Sequence, residues 1–583
     1  MVGIILIGII FAVLLELNKN MLLGWILAIA VLVGFFFLRK YVLADRAWLL
    51  RAGGWVALVA VLAAVLVLTP GPYKLRPAVE GKVGGVTPVY TVAQGDLTGV
   101  YTADGAVEVF AGIPFAKPPV GELRWREPQD PEPWEGVLAA DTFAPMGMQP
   151  SNGAIYDSIA KIVGYHDYTI TLDDNFRDVM SEDSLYVNIW KPADAKPGTP
   201  VLVYIHGGSL ETGQPWWQDY CGEGLARRGI IVVTVGYRLG VFGFFADEAL
   251  AAESPNGTTG NYGLLDQIKA LEWVRDNTAV FGGDPGNVTV AGESAGSACV
   301  TALATSPLAK GLFRRVIAES STTTAPHPAH SYRSMEAALA AGAATKAQFG
   351  ATTIEDMRAI PADKLVAATA AHHHMTVDGY VLTESPAASL AKGISNAEAF
   401  LHGFNATEGA LFTILSNANM KTYEGKVRAY FGDFADEVLA LYPATTDAEA
   451  KAMWIDIYSA VYFTYWHHCL TRQALQLDIP AYTYYFTKDN GRLGANHGGE
   501  LMFFYGNIPA KSRLFDESDR ALSAIMQAYF VNFVTTGDPN GPGLPVWKAS
   551  ATPGELLELG EQVAPTTDRL LALYDILDRM QAA

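Results

Sequence analysis

Ser294 stands in Gly292-Glu293-Ser294-Ala295-Gly296, directly after the apolar, largely β-branched run Val288-Thr289-Val290-Ala291. Small, helix-compatible residues follow, from Ser297 to Leu303. In such a strand–turn–helix setting a G-x-S-x-G pattern has chemical meaning. The turn is so tight that a side chain at Gly292 or Gly296 would collide with its neighbours, which calls for glycine on both sides. Ser294 is then presented at the end of a buried strand with a helix N-terminus behind it. There a histidine could take its proton, and nearby backbone N–H groups could meet a developing oxyanion. The five residues alone also fit a chance match in a chain rich in glycine and alanine, so the rest of the sequence has to decide.

Elements that could hold such a serine are present on both sides of it. From Tyr90 onward short β-rich runs alternate with helical ones, the pattern of a largely parallel sheet covered by helices. Val201–Ile205 and Ile230–Val235 are continuous apolar runs, as expected of strands buried on both faces. Leu264 to Val274 has helical spacing and stops before a turn at Phe281-Gly282-Gly283-Asp284-Pro285. Glu336–Lys346 and Asp519–Thr535 read as further helices, and His372-His373-His374 falls in an Ala-rich, helix-like stretch. The 583 residues suffice for one α/β domain with insertions plus an additional element. A net charge of −19 excludes nucleic acid as an obvious partner. Three cysteines (Cys221, Cys299, Cys469) match no zinc spacing, so no metal site is indicated.

The first 70 residues are of a different kind. Apolar runs cover 2–17, 21–38 and 52–68, the first and second parted by Glu16-Leu17-Asn18-Lys19-Asn20. The second and third are near the roughly 17–25 residues that cross a bilayer, and the first is short. A cleaved signal peptide would need a basic start and a small-residue cleavage site, which the first run lacks. Three spanning helices are therefore expected, with the lipid bilayer as partner. Arg39, Lys40, Arg46 and Arg51 face a single Asp45 between the second and third runs, which places that loop in the cytoplasm. Everything after Pro70 then lies outside, past a linker over 71–89 and into a domain over 90–583. Lys74, Arg76 and Lys82 weaken that asymmetry without reversing it.

An ordered series of blocks carries a family resemblance: Phe110–Ala116, Pro118–Trp125, Glu182–Asn188, Tyr237–Gly240, Asn261–Gln267 and Phe281–Pro285. With the serine motif, they make the chain from about Tyr90 to about Tyr574 resemble the type-B carboxylesterases. That branch of the α/β-hydrolase fold also holds cholinesterases and bacterial para-nitrobenzyl esterases. The resemblance implies an α/β-hydrolase domain behind the membrane helices, a Ser-His-Glu triad, and a small-molecule ester as substrate with no cofactor. His206-Gly207-Gly208-Ser209 stands where the family carries a His-Gly-Gly-Gly loop, implying oxyanion donors at Gly208, Ser209 and Ala295, with Gly207 beside them. Ser209 departs from the usual glycine. His497, in Asn496-His497-Gly498-Gly499-Glu500, matches the family's base; the His372–His374 run and His467-His468 are weaker candidates. Glu408 in Gly403–Gly409 matches the acid and gives the order Ser–acid–His of this fold, whereas Asp378 reads as a turn acid.

Some positions keep two readings. Glu293 and Glu500 correspond to an acidic network beside the family's histidine, or else simply bond backbone amides. Trp216 and Trp217 line the entrance or pack under it. Ser184 and Gly147 stand where a common disulfide would be, so that bridge is missing. Three functions remain in order: a membrane-anchored serine carboxylesterase acting through an acyl-enzyme; hydrolysis of an amide, lactone or thioester by the same triad; and a non-catalytic adhesion or binding protein on the same fold. The intact triad argues against the last. The natural ester, acyl length and oligomeric state leave no mark in the sequence.

Overall fold

A computed structural model describes residues 2–150, 177–325, 332–489, 493–510 and 514–582. Contacts divide the chain into two units, one of residues 1–76 with 151–179, the other of 77–150 with 180–583.

The first unit is built on three helices: α1 (Val2–Leu17), α2 (Leu22–Tyr41) and α3 (Trp48–Leu68). Leucine, isoleucine, valine and alanine form helix readily once no polar group needs water, and these helices are apolar around most of their girth. α2 and α3 are long and apolar enough to cross a membrane, and α1 is shorter. Phe11, Leu15, Ala28, Phe35, Leu58 and Leu62 pack between the three. The turn between α1 and α2 meets the end of α3: Asn20 Nδ2 donates to Leu66 O at 2.9 Å and to Thr69 Oγ1 at 2.9 Å. A Cβ on Gly24 would stand 2.3 Å from Thr69 Oγ1, so glycine is what lets α2 approach there. Tyr73–Lys74 pairs in parallel with Arg177–Asp178, and Arg76 Nε donates to Asp178 Oδ1 at 2.9 Å. The later residues Arg177 and Asp178 thus return to this unit, which the sequence did not suggest.

The second unit carries a twelve-stranded mixed sheet. Its strands in chain order are β1 (Gly85–Val86), β2 (Val100–Tyr101), β3 (Val107–Pro114), β4 (Tyr186–Pro192), β5 (Thr199–Ile205), β6 (Ile231–Val235), β7 (Gly283–Glu293), β8 (Arg315–Glu319), β9 (Ala399–Asn405), β10 (Ala481–Phe486), β11 (Glu555–Leu559) and β12 (Val563–Thr567). The spatial order is β1-β2-β3-β4-β6-β5-β7-β8-β9-β10-β11-β12. From β6 across to β11 every pairing is parallel, while both flanks are antiparallel. Val201–Ile205 of β5, all of β6 and the apolar half of β7 are buried, which explains their unbroken apolar runs. Among the helices are α4 (Tyr262–Asn277), α5 (Ala295–Leu303), α6 (Tyr423–Phe431), α7 (Asp447–Ser459) and α8 (Tyr465–Gln476). α4 and α5 join the main core with Leu264, Leu271, Val300 and Leu303.

Three local expectations need correction. The stretch read as a linker, 71–89, contributes β1 to the sheet edge. The turn expected at Phe281–Pro285 is confined to Gly282, left-handed at φ 87°, and the strand begins at Gly283 because that residue already pairs with Thr199. The stretch around His372–His374 is not helical. His373 is buried with Nε2 at 3.0 Å from Thr345 Oγ1, and the chain runs directly into a short strand, Met375–Val377, paired with Tyr332–Ser334.

The blocks that carry the family resemblance meet as buried ion pairs. Arg238 holds Asp266 through Nε–Oδ2 at 2.8 Å and Nη2–Oδ1 at 2.7 Å. Arg124 grips Glu182 in the same two-pronged way, at 2.6 and 2.7 Å. Leaving either arginine without its acid would strand a buried charge, which costs about 3–5 kcal/mol.

Candidate active site

Ser294 sits where β7 gives way to α5, with φ 55° and ψ −122°, a backbone conformation that side chains rarely adopt. Its N–H is tied to Glu319 O at 2.8 Å at the end of the neighbouring strand β8. The glycines around it are sterically obligatory: a Cβ on Gly292 would come within 2.4 Å of the Gly296 backbone, and one on Gly296 within 2.0 Å of Ile205 O. The collision inferred from the motif is thus present at both positions.

The loop after β5 runs alongside. His206 is buried, with Nδ1 2.9 Å from Gly207 O, and its pKa is lowered to about 4 by burial, so the ring is neutral. Tyr237 stacks on that ring and donates its hydroxyl to His206 O at 2.8 Å. A Cβ on Gly207 would stand 3.0 Å from Ser294 Cβ, and one on Gly208 2.2 Å from Thr212 O. Gly208 has φ 107°, while Ser209 and Leu210, at 59° and 62°, hold left-handed backbone without being glycine. Thr212 N and Oγ1 both donate to Gly208 O and close the turn. The N–H groups of Gly208, Ser209 and Ala295 donate to no acceptor among the described residues. Three free donors therefore flank Ser294, two from this loop and one from the first residue of α5.

His497 lies in the loop after β10. Its Nδ1 is 2.6 Å from Glu408 Oε2, and Glu408 is fully buried, its Oε1 accepting from Asn405 N at 2.7 Å. His497 Nε2 faces Glu293 Oε1 at 3.1 Å, and no hydrogen bond links it to Ser294 Oγ among the described residues. Asp378 is engaged elsewhere, its carboxylate taking Tyr380 N, Leu382 N and the Thr258 hydroxyl. His467 meets His402, Nδ1 to Nδ1, at 3.1 Å, and His372 meets Glu211 at 2.7 Å.

A buried group of acids surrounds the imidazole. Glu500 accepts from Ser320 Oγ at 2.9 Å and from the Asn405 amide, and Glu319 accepts from the Tyr505 hydroxyl at 3.2 Å. Burial pushes Glu293 up to about 8 and Glu500 to about 7, the neighbouring carboxylates adding to it, and holds Glu319 well above the usual range. Burial alone would depress His497, but the charges of Glu293 and Glu408 outweigh it and raise the imidazole to about 9. Glu293 meets the histidine, and Glu500 meets the side chains of Ser320 and Asn405. Glu319 went unnoticed in the sequence because nothing local distinguishes it; only the pairing of β7 with β8 brings it alongside.

Two aromatic rings cover His497, Phe463 at 4.5 Å and Phe412 at 5.2 Å between centroids. Phe463 belongs to a π-helical turn, Ala460–Thr464, between α7 and α8, a signal no sequence periodicity carries. Trp216 is buried against Phe143 in a cluster with Trp190, and Trp217 is exposed beside Tyr220. Among the described residues no group of three or more histidine, cysteine or acidic side chains could hold a metal ion.

A parallel-cored sheet with a serine on a glycine-flanked strand-to-helix turn defines an α/β-hydrolase. Residues 86–573 match the sequence model of the Carboxylesterase family, and the chain belongs to that family as a carboxylic ester hydrolase. The chain is similar to the fumonisin B1 esterase of Sphingopyxis macrogoltabida, 34% identical over 484 residues that cover 79% of this chain and 84% of the relative. It is also similar to the liver carboxylesterase of Sus scrofa, 33% identical over 515 residues, covering 79% and 87%. Among solved structures it resembles a Geobacillus stearothermophilus carboxylesterase, with a TM-score of 0.72, 30% identity, and coverage of 84% of this chain and 100% of that one. A PNB esterase matches with a TM-score of 0.70, 29% identity and coverage of 84% and 99%.

Proposed function

We propose that the protein is a membrane-anchored serine carboxylesterase working through an acyl-enzyme, with Ser294 as nucleophile, His497 as base and Glu408 as the orienting acid. The observation that carries this reading is the 2.6 Å contact from Glu408 to His497 Nδ1, which directs Nε2 away from the acid and toward Glu293, the neighbour of Ser294. Ser294 Oγ attacks the ester carbonyl carbon as its proton passes to His497 Nε2. The new oxyanion is met by the N–H groups of Gly208, Ser209 and Ala295, each without another acceptor among the described residues. Collapse breaks the C–O bond to the alcohol, which leaves with the proton from His497. Water then repeats the sequence on the acyl-serine and releases the acid. Bonds between catalytic groups commonly tighten only when substrate binds, which accommodates an Nε2 resting against Glu293. The anchor is α1–α3, and the basic loop between α2 and α3 supports an esterase domain on the outer side.

Replacing Ser294 with alanine is expected to abolish turnover of p-nitrophenyl esters and covalent labelling by an organophosphonate, with unfolding behaviour unchanged. Labelling that persists on another serine sinks the assignment.

A further inference from the structure

The stretch from Ala410 to Tyr430 exposes more large apolar side chains than a water-facing loop needs. Leu415 is 87% exposed, Met420 43% and Phe412 42%, with Ile414 and Tyr430 also open. These side chains continue one aromatic surface: Phe412 stacks on Tyr458 at 6.0 Å, Tyr458 on Tyr462 at 4.3 Å, and Tyr462 reaches Tyr430 at 6.3 Å. Tyr430, Trp454, Tyr458 and Tyr462 line an open cavity of about 270 Å³ between α6 and α7. The surface begins at the catalytic histidine, since the Phe412 ring rests 5.2 Å from that of His497.

The stretch 410–430 itself carries a charge opposite to that of the molecule, with Asp447 at the start of α7 accepting from Met420 N. In a chain of net charge −19, residues 410–430 hold Lys421, Lys426 and Arg428 against Glu424 alone. Arg428 is neutralised by Glu424 and Asp436. Lys421 and Lys426 pair with no carboxylate among the described residues, and Lys426 Nζ lies 5.5 Å over the Trp454 ring. Exposed leucine, methionine and phenylalanine interleaved with free lysines suit an anionic lipid surface, where apolar burial and headgroup attraction act together. The same chain carries two helices long and apolar enough to span a membrane.

We infer that the apolar face Phe412–Tyr430 docks onto the anionic surface of a lipid bilayer, opening the site around His497 toward esters dissolved in that bilayer. The use made of the docking rests on the esterase reading; the docking itself does not, and is measured without turnover.

The test uses the full chain carrying Ser294→Ala, in nanodiscs of phosphatidylcholine alone or of phosphatidylcholine mixed with phosphatidylglycerol. A nitroxide is attached through Leu415→Cys and, as control, through Val546→Cys, with the signal of native Cys221 subtracted. In the anionic discs the label at 415 should lose collisions with a water-soluble nickel chelate on the order of tenfold and gain collisions with oxygen, as for a side chain seated roughly 5–10 Å into the interface. The label at 546 should stay open to nickel, and Lys421→Glu with Lys426→Glu should restore nickel access at 415. Nickel access at 415 equal to that at 546 in both discs overturns the inference. So does shielding equal in neutral and anionic discs, or shielding from oxygen as well that grows with protein concentration, which would assign the face to a second copy of the chain.

Discussion

Glu293 touches His497 at Nε2, the atom that takes the Ser294 proton in the proposed mechanism, and its carboxylate bears on how readily that imidazole is neutral. The imidazole is raised to about 9 because Glu293 and Glu408 outweigh burial. A general base works only when unprotonated, so kcat/KM should climb with pH through that range. Glu293→Gln removes the charge that Glu293 carries once it ionises while keeping the shape, leaving burial opposed by Glu408. The acidic limb of the pH–kcat/KM profile should therefore move to lower pH, by roughly one unit for a charge at this range. A limb that stays put or moves up would mean that Glu293 does not act through His497. Among the proposed triad, His497→Ala should cost about as much as Ser294→Ala, and Glu408→Gln less, because the acid only orients and stabilises the base. Asp378→Asn should leave kcat nearly unchanged, since that carboxylate serves a turn; if it proved worse than Glu408→Gln in folded protein, the acid would have to be reassigned.

At the scale of the element, the turn between β7 and α5 stores strain that glycine alone relieves. Gly296→Ala pushes a methyl to 2.0 Å from Ile205 O on the adjacent strand, where neither backbone can yield. It should destabilise the protein by about 2–4 kcal/mol, in the range of a backbone clash or overpacked core. Gly425→Ala in α6 meets only open space and should stabilise by about 0.5–1 kcal/mol through helix propensity. Urea unfolding of both variants checks the pair, and equal midpoints would refute the steric account. This element was legible in the sequence because an apolar run, two glycines and a string of small residues dictate it locally. The same locality explains the misses. Alanine around His372–His374 suggested a helix, but burial of His373 against Thr345 overrode propensity. Glu319, Phe412 and Phe463 reach the site only through strand order and a π-helical turn, neither of which leaves a period in the sequence.

For the whole molecule, the proposed anchor makes a claim about the side of the membrane on which the esterase domain works. In the first unit Asn20, in the α1–α2 turn, bonds Leu66 O and Thr69 at the end of α3, so those two ends share one side. In the proposed topology the α2–α3 loop then belongs to the opposite side, the alternation that three spanning helices require. That loop carries Arg39, Lys40, Arg46 and Arg51 against Asp45, and basic loops are retained in the cytoplasm. Thr69 and the chain beyond it are accordingly predicted to emerge outside. Alkaline phosphatase joined after Val86 should be active, and green fluorescent protein exported there through the Sec route should be dark. The reverse pattern would put the domain in the cytoplasm and leave only two of the helices spanning. On the proposed anchoring the full chain should also resist extraction by alkaline carbonate, because only a few residues of α2 and α3 are covered within the helix bundle and the rest of their apolar girth is left for lipid. Release by carbonate without detergent would remove the spanning assignment itself, and with it the alternation from which the orientation is derived.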